Sequence, residues 1–304
     1  MSRPRVLVLG DFGIDVMITV PSLPKSDQKF NGVRVAQGAG GMAANVAVAL
    51  ARLGSPVRLA AALGDDLYAD VALHALDQEA IDLNFIYRRR GTPTFMCVVL
   101  LAPDGEKALV RLPSAAYLPT VDELTTNLFV DVQHLHTTVG DETLTLRAID
   151  LAAAHHITVS LDLEATDIPT QSKATREILA GIDILFLNKD ARQKLGEHLH
   201  AQEIPGPRMV VTTLGKEGSL CEVGGHTFNV PGYAVEVRDT TGAGDAFAGA
   251  FLHHYLLTGD PKAALRFANV AAALSTQAYG AQTSLATEDD VARYVNSMLD
   301  RDIG

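Results

Sequence analysis

The chain has 304 residues, 47% hydrophobic and 20% charged, a balance that predicts a soluble globular protein with a sizeable core, built as one large α/β domain or two ordinary ones. Its net charge is −11 and no stretch gathers five or six Lys or Arg, which argues against nucleic acid or a membrane surface as partner. A phosphate-bearing ligand stays open, because backbone N–H groups can hold a phosphate locally.

In chain order, "RVLVLG" (Arg5 to Gly10) is an apolar, β-branched run closed by glycine, as a buried strand would be. Its core "VLVLG" is too short for a signal peptide, and no run of about 18 apolar residues occurs, so the expectation is a cytoplasmic protein without a membrane span. "GGMAANVAVALARLG" (Gly40 to Gly54) reads as a helix entered through glycines and stopped by Gly54. "VRLAAALG" predicts the next strand and "DDLYADVALHALDQEA" the next helix. The basic "YRRRG" (Arg88 to Arg90) reads as a solvated turn. "ITVSLDL", "IDILFLN" and "RMVVTTLG" are further apolar runs ending in polar residues or glycine, with helical patterns between most of them. Strands alternating with helices predict a mostly parallel, doubly wound sheet covered on both faces, with ligands at the carboxyl ends of its strands.

Two stretches break the rhythm. Val16 to Gln37 and Thr92 to Pro113 hold strand-like runs without helices between them, and the second contains the hairpin signal "PDGE". They predict a small second sheet, a lid with strands within about 14–37 and 91–115, on a single domain spanning 1–304. Cys97 and Cys221 have no metal-ligand spacing and read as buried free thiols.

The chemistry concentrates in "DTTGAGD" (Asp239 to Asp245), which runs straight into an apolar helix. Gly242 and Gly244 let the backbone approach a ligand closely, and a helix starting near Asp245 turns unpaired N–H groups outward. Together they form an anion hole suited to a phosphoryl group, with Asp245 at its edge able to take a proton. The same residues also read as an ordinary helix start with Asp245 as N-cap, and spacing alone leaves both readings open.

"DTTGAGDAF" resembles the C-terminal signature of the ribokinase-like (PfkB-type) carbohydrate kinases, and "GGMAANVAVALARLG" resembles their N-terminal signature. "LGDFGID", "LGDD", "TLGKEG" and "FANVAAALSTQAYGA" follow in the family's order, so the resemblance spans nearly the whole chain. It implies an ATP-dependent kinase of a small sugar or sugar acid that uses Mg²⁺. Asp245 would be the general base, Gly242, Ala243 and Gly244 the anion hole, and Asp15, Gly41 and Asn45 the sugar contacts. Asn188, Thr213, Gly215, Gly218 and Asn269 would serve the nucleotide. Asp239, Thr241, Ala278, Gly280 and Ser284 match positions that hold K⁺ in several members. Members often pair through their lids, so a homodimer is expected.

The chain departs from the pattern in two places. Met42 stands where ribokinases proper tend to carry Lys, which counts against ribose, and Ala191 stands at the usual glutamate of an Asn-x-x-Glu element, leaving Asp190 as a substitute Mg²⁺ contact. Lys29 and Arg111 lie in the lid segments and could meet an anionic group on the sugar, or be surface charges. A nucleoside kinase or a catalytically silent binding protein on the same scaffold are the alternatives. "GAGGMA" fits the G-x-G-x-x-A dinucleotide pattern but follows a polar stretch, so NAD chemistry has little support, and no P-loop occurs. The pairs His134/His136, His155/His156 and His253/His254 lack i,i+4 partners for a metal and read as core or surface residues.

Overall fold

A computed structural model describes residues 3–103, 106–168, 172–199 and 206–301. The first half runs β1 (Val6–Leu9), β2 (Gly13–Thr19), β3 (Val33–Gly40), α1 (Met42–Arg52), β4 (Val57–Leu63), α2 (Leu67–Leu76), β5 (Ile81–Arg88), β6 (Met96–Leu101) and β7 (Lys107–Leu112). Then come β8 (His134–Thr138), α3 (Glu142–Ala154), β9 (Thr158–Leu163), α4 (Ser172–Ala180), β10 (Ile184–Asn188), α5 (Lys189–Leu199) and β11 (Met209–Thr213). The chain closes with β12 (Ser219–Val223), β13 (His226–Val230), α6 (Ala243–Thr258), α7 (Pro261–Ser275) and α8 (Glu288–Arg301).

Nine strands form one sheet in the order β13-β12-β11-β10-β9-β8-β1-β4-β5, parallel from β11 to β5, with β12 and β13 added as an antiparallel hairpin. Successive residues of a strand face opposite sides, and β1 shows why it must be apolar throughout. Val6 and Val8 enter the core beneath α1, α2, α6 and α7, whereas Leu7 and Leu9 enter the core beneath α3, α4 and α5. The expected doubly wound α/β fold is therefore present. β2, β3, β6 and β7 form a separate sheet in the order β3-β2-β6-β7; β6 and β7 fall inside the second helix-free stretch, whereas β2 begins at Gly13 and β3 runs on to Gly40, beyond the first. The turn residues Asp104 and Gly105 of "PDGE" lie outside the described residues.

The segment holding His134 and His136 is a central strand, β8, whose two imidazoles share the Ser160 hydroxyl at 2.8 Å each. Burial drives both rings down to about 3, so they stay neutral core residues. In "YRRRG", Arg88 and Arg90 are exposed at the end of β5 and in the turn that follows, as expected, while Arg89 between them is half-buried and clamps Glu123 through two bonds of 2.6 and 2.5 Å. Both cysteines are buried and free. No helix among the described residues is long and apolar enough to cross a membrane.

Candidate active site

The carboxyl ends of β1, β9, β10 and β11 and the small sheet enclose a cavity of about 440 Å³. The main sheet contributes Asp11, Asp162, Glu164, Asn188 and Thr213, and the small sheet Asp15, Cys97, Lys107 and Arg111. The start of α1 adds Gly41, Met42 and Asn45, and the start of α6 adds Gly242, Gly244 and Asp245.

Both helix starts depend on glycine. Gly41 has φ 99°, and a Cβ there would come within 2.7 Å of the Asp11 carbonyl oxygen. Gly242 has φ 75° in the left-handed region and is itself the N-cap of α6; a Cβ on it would meet Ala281 at 2.8 Å. The helix thus begins at Ala243, two residues before the expected point, which makes Asp245 its third residue and not its N-cap. The first turn of α6 leaves amides unpaired toward the cavity. The Ala243 amide is the exception, donating to the Thr240 carbonyl at 3.3 Å, so Gly242 and Gly244 are the members of the glycine turn that line the cavity.

Asp245 is buried, and its carboxylate accepts a 2.7 Å hydrogen bond from the Asn45 amide on α1. Burial raises its pKa well above the ordinary carboxylate value; the Asn45 bond opposes that rise, and Asp162, Asp11 and Glu164 reinforce it by repulsion. Asp11 accepts from the Ala43 amide at 3.2 Å and is likewise raised by burial, against the pull of backbone N–H groups and Arg111. Asp15 is pushed up to about 7 by burial and then by repulsion from Asp11 and Asp239. Asp162 also reaches about 7, through burial and then Glu164. Two cations face these five carboxyl groups. Lys107 donates to the Thr240 hydroxyl at 3.1 Å, reaching from β7 to the loop before the glycine turn, and Arg111 pairs with Asp167 at 3.3 Å and with the Tyr117 hydroxyl. Cys97 lines the wall as an unreactive thiol, raised to about 11 by burial.

The fold thus brings Asp15, Gly41, Asn45, Arg111, Asn188, Thr213, Thr241, Gly242, Gly244 and Asp245 into one cavity. Other expected site residues stand elsewhere. Lys29 is exposed on the connection between β2 and β3, and Asp190 is exposed in the first turn of α5; neither lines the cavity. Asn188 accepts from the Ala191 amide at 2.7 Å and so caps α5 while also facing the cavity. Gly215 and Gly218 bracket the tight turn after β11, outside the lining set. Asn269 is buried and spends its amide on the Val230 and Pro231 carbonyls at 3.1 Å each, tying α7 to the end of β13.

Asp239 is a buried hub. It accepts from the Thr241 amide and hydroxyl at 2.9 and 2.8 Å and from the Gly280 amide at 2.9 Å. Ser284 donates to the Ser275 carbonyl at 3.1 Å, and Ala278 falls in the turn region after α7. Asp11, Lys107, Asp162, Glu164 and Gln282 went unnoticed in the sequence. The first four stand at strand ends, where the rule that ligands gather at carboxyl ends could have found Asp11, Asp162 and Glu164. Gln282 has no such signal.

The sequence model of the pfkB family carbohydrate kinases matches residues 3–288. An ATP-dependent ribose-1-phosphate kinase of Halopiger xanaduensis is 30% identical over 301 residues, covering 97% of this chain and 99% of its own length. A ribokinase of Haemophilus influenzae is 28% identical over 308 residues, covering 96% of this chain and 99% of its own. Among solved structures, a ribokinase II from E. coli in complex with ATP and Mg²⁺ superposes with a TM-score of 0.81 at 20% identity, covering 98% of this chain and all of that one.

Proposed function

Since this chain belongs to the pfkB family of carbohydrate kinases, we propose that it transfers the γ-phosphoryl group of ATP to a hydroxyl of a small, uncharged sugar, with Asp245 as general base. One observation carries the reading: a buried carboxylate in the first turn of α6, beside the Gly242–Gly244 turn, inside the cavity that both sheets enclose.

Asp245 accepts the proton of the attacking hydroxyl, and the α6 N-terminus with Gly242 and Gly244 stabilises negative charge on the transferring group. Asp15, Gly41 and Asn45 orient the sugar. Most of the rate gain comes from this positioning and charge stabilisation. Mg²⁺ bound with ATP neutralises phosphate charge. Asp162 and Glu164 would offer carboxylate oxygens to Mg²⁺, which fits a hard cation that keeps waters and takes one or two carboxylates; Asn188 lines the cavity beside them with its Oδ1 already capping α5. Among the described residues no three His, Cys, Asp or Glu side chains form a metal-holding group. Asp239 with the turn at Gly280 is the place for K⁺, its carboxylate already fixed from both sides.

An uncharged acceptor is favoured over a sugar acid or sugar phosphate by the wall itself. Asp11, Asp15, Asp162, Glu164 and Asp245 outnumber Lys107 and Arg111, and Arg111 is already paired with Asp167. The small sheet acts as a lid that excludes water when it closes. Its exposed Val33, Val110 and Leu112 are the surface through which two copies would pair, a state that sedimentation analysis measures.

The test is ADP release from Mg-ATP over ribose, fructose, 2-keto-3-deoxygluconate, sulfofructose, phosphorylated sugars and nucleosides, with and without K⁺. The expected result is turnover of an uncharged sugar that Asp245→Ala abolishes. Turnover confined to an anionic sugar would overturn the acceptor class, and full activity in Asp245→Asn would overturn the base.

A further inference from the structure

The hydrogen bond from Asn45 to Asp245 has a second half. The Asn45 carbonyl oxygen accepts from the Gln282 side-chain amide at 2.9 Å, while the Asn45 amide nitrogen donates to Asp245 at 2.7 Å. A primary amide can present either end to a neighbour, and which end faces Asp245 decides whether the carboxylate is stabilised or repelled. Gln282 satisfies the carbonyl end and so leaves the N–H end for the carboxylate.

We propose that Gln282 is a positioning residue for phosphoryl transfer, holding the Asn45 amide in the one orientation that keeps Asp245 available as a base. Gln282 is itself anchored. The Arg52 guanidinium, paired with Glu79 at 2.6 Å, donates to the Gln282 backbone carbonyl at 2.7 Å and to the Leu285 carbonyl at 3.3 Å. A chain of contacts thus runs from the Glu79–Arg52 ion pair through the loop after α7 to the carboxylate on α6. Gln282 itself lines a second cavity of about 230 Å³ behind Asp15 and is absent from the wall of the first, so it acts through Asn45 and not on the substrate. The effect has a direction, because the Asn45 bond is the interaction that opposes the rise in Asp245's pKa.

The charged groups sharing this environment are Asp11 after β1, Asp15 on β2, Lys107 and Arg111 on β7, and Asp162 and Glu164 at the end of β9, with Asp239 beside Asp15. Gln282 is uncharged, so replacing it by a neutral residue leaves every one of these charges in place.

The inference rests on Asp245 being the base, and the experiment separates the two. The full-length enzyme is assayed for kcat and kcat/KM against pH with the best sugar of the panel, as wild type, Gln282→Met and Gln282→Glu, alongside Asp245→Asn. Gln282→Met keeps the side-chain bulk and removes the donor. Its acidic limb should move to higher pH by about one unit, with about tenfold lower kcat on the acidic side, and the rates should converge above the limb. Gln282→Glu offers Asn45 an acceptor, which turns the Asn45 carbonyl toward Asp245, so its limb should move further. A limb unmoved in both variants, or a pH-independent loss accompanied by a lower melting temperature, would assign Gln282 a structural role only and overturn the proposal. A fully active Asp245→Asn enzyme would overturn the base assignment itself, and the proposal with it.

Discussion

The two sheets contribute to one cavity in different ways. The nine-stranded sheet is covered on both faces, and its strand ends deliver Asp11, Asp162, Glu164 and Asn188 from backbone fixed by two hydrophobic cores. The four-stranded sheet has one small core of Met17, Phe95, Cys97 and Val99 and leaves Val33, Leu109, Val110 and Leu112 to solvent. Its inner residues Ile14 and Ala39 enter the main core beneath α1 and α2, and over the cavity β7 reaches the main body through polar contacts, Lys107 with Thr240 and Arg111 with Asp167. A site divided this way pairs a catalytic wall fixed by two cores with an outer strand, β7, that is largely exposed, and moving elements are drawn from such segments.

Substitutions on the two walls should separate accordingly. The largest effect is expected at Asp245, where Asn should lower kcat by about 10²- to 10⁴-fold, read by steady-state kinetics, with the fold intact by circular dichroism. Next comes the core that holds α6: Phe251 is fully buried, stacks on Phe247 and Tyr255, and meets Phe186 edge-on. Its replacement by Ala should cost about 3–5 kcal/mol in denaturant unfolding.

A pH effect ranks third. Asp15 and Asp162, held up to about 7, bind protons more tightly folded than unfolded. Their stabilising contribution is complete below the unfolded value near 4 and is lost as pH rises through about 7. The melting temperature of the ligand-free protein should therefore fall between pH 5 and 8, and Asp162→Asn should flatten that slope. A slope unchanged by Asp162→Asn would mean that this carboxyl does not bind its proton more tightly in the fold.

The smallest stability effect is expected on the lid. Arg111→Ala removes a partly exposed ion pair and should change unfolding free energy by less than about 1 kcal/mol in denaturant unfolding. If Arg111→Ala instead destabilised the protein as much as Phe251→Ala, the contrast between the two walls would fail.

Local signals in the sequence had physical force where chain geometry is short-range. Short continuous apolar runs marked β1, β9, β10 and β11, and glycines at 41 and 242 marked the helix starts because no other residue takes those backbone angles beside such close neighbours. Asp15, Asn45 and Asp245 were legible through their signatures, and they do converge on one cavity. β5, β8 and the β12–β13 hairpin were missed, because their strand patterns are mixed with charged or polar residues that only the assembled sheet explains.

The sequence by itself determined the alternation of strands and helices, the glycine-framed starts of α1 and α6 and the family, since each follows from residues adjacent along the chain. Tertiary structure alone decided which side chains meet. Lys29 and Asp190 fell outside the cavity and Asn269 was drawn into a backbone contact, while Asp11, Lys107, Asp162 and Glu164 were brought in. The physical reason is distance along the chain: Asn45 and Asp245 are 200 residues apart and Asn45 and Gln282 are 237 apart. A hydrogen bond between such partners exists only once two helices and a loop have packed, and no local pattern records its geometry.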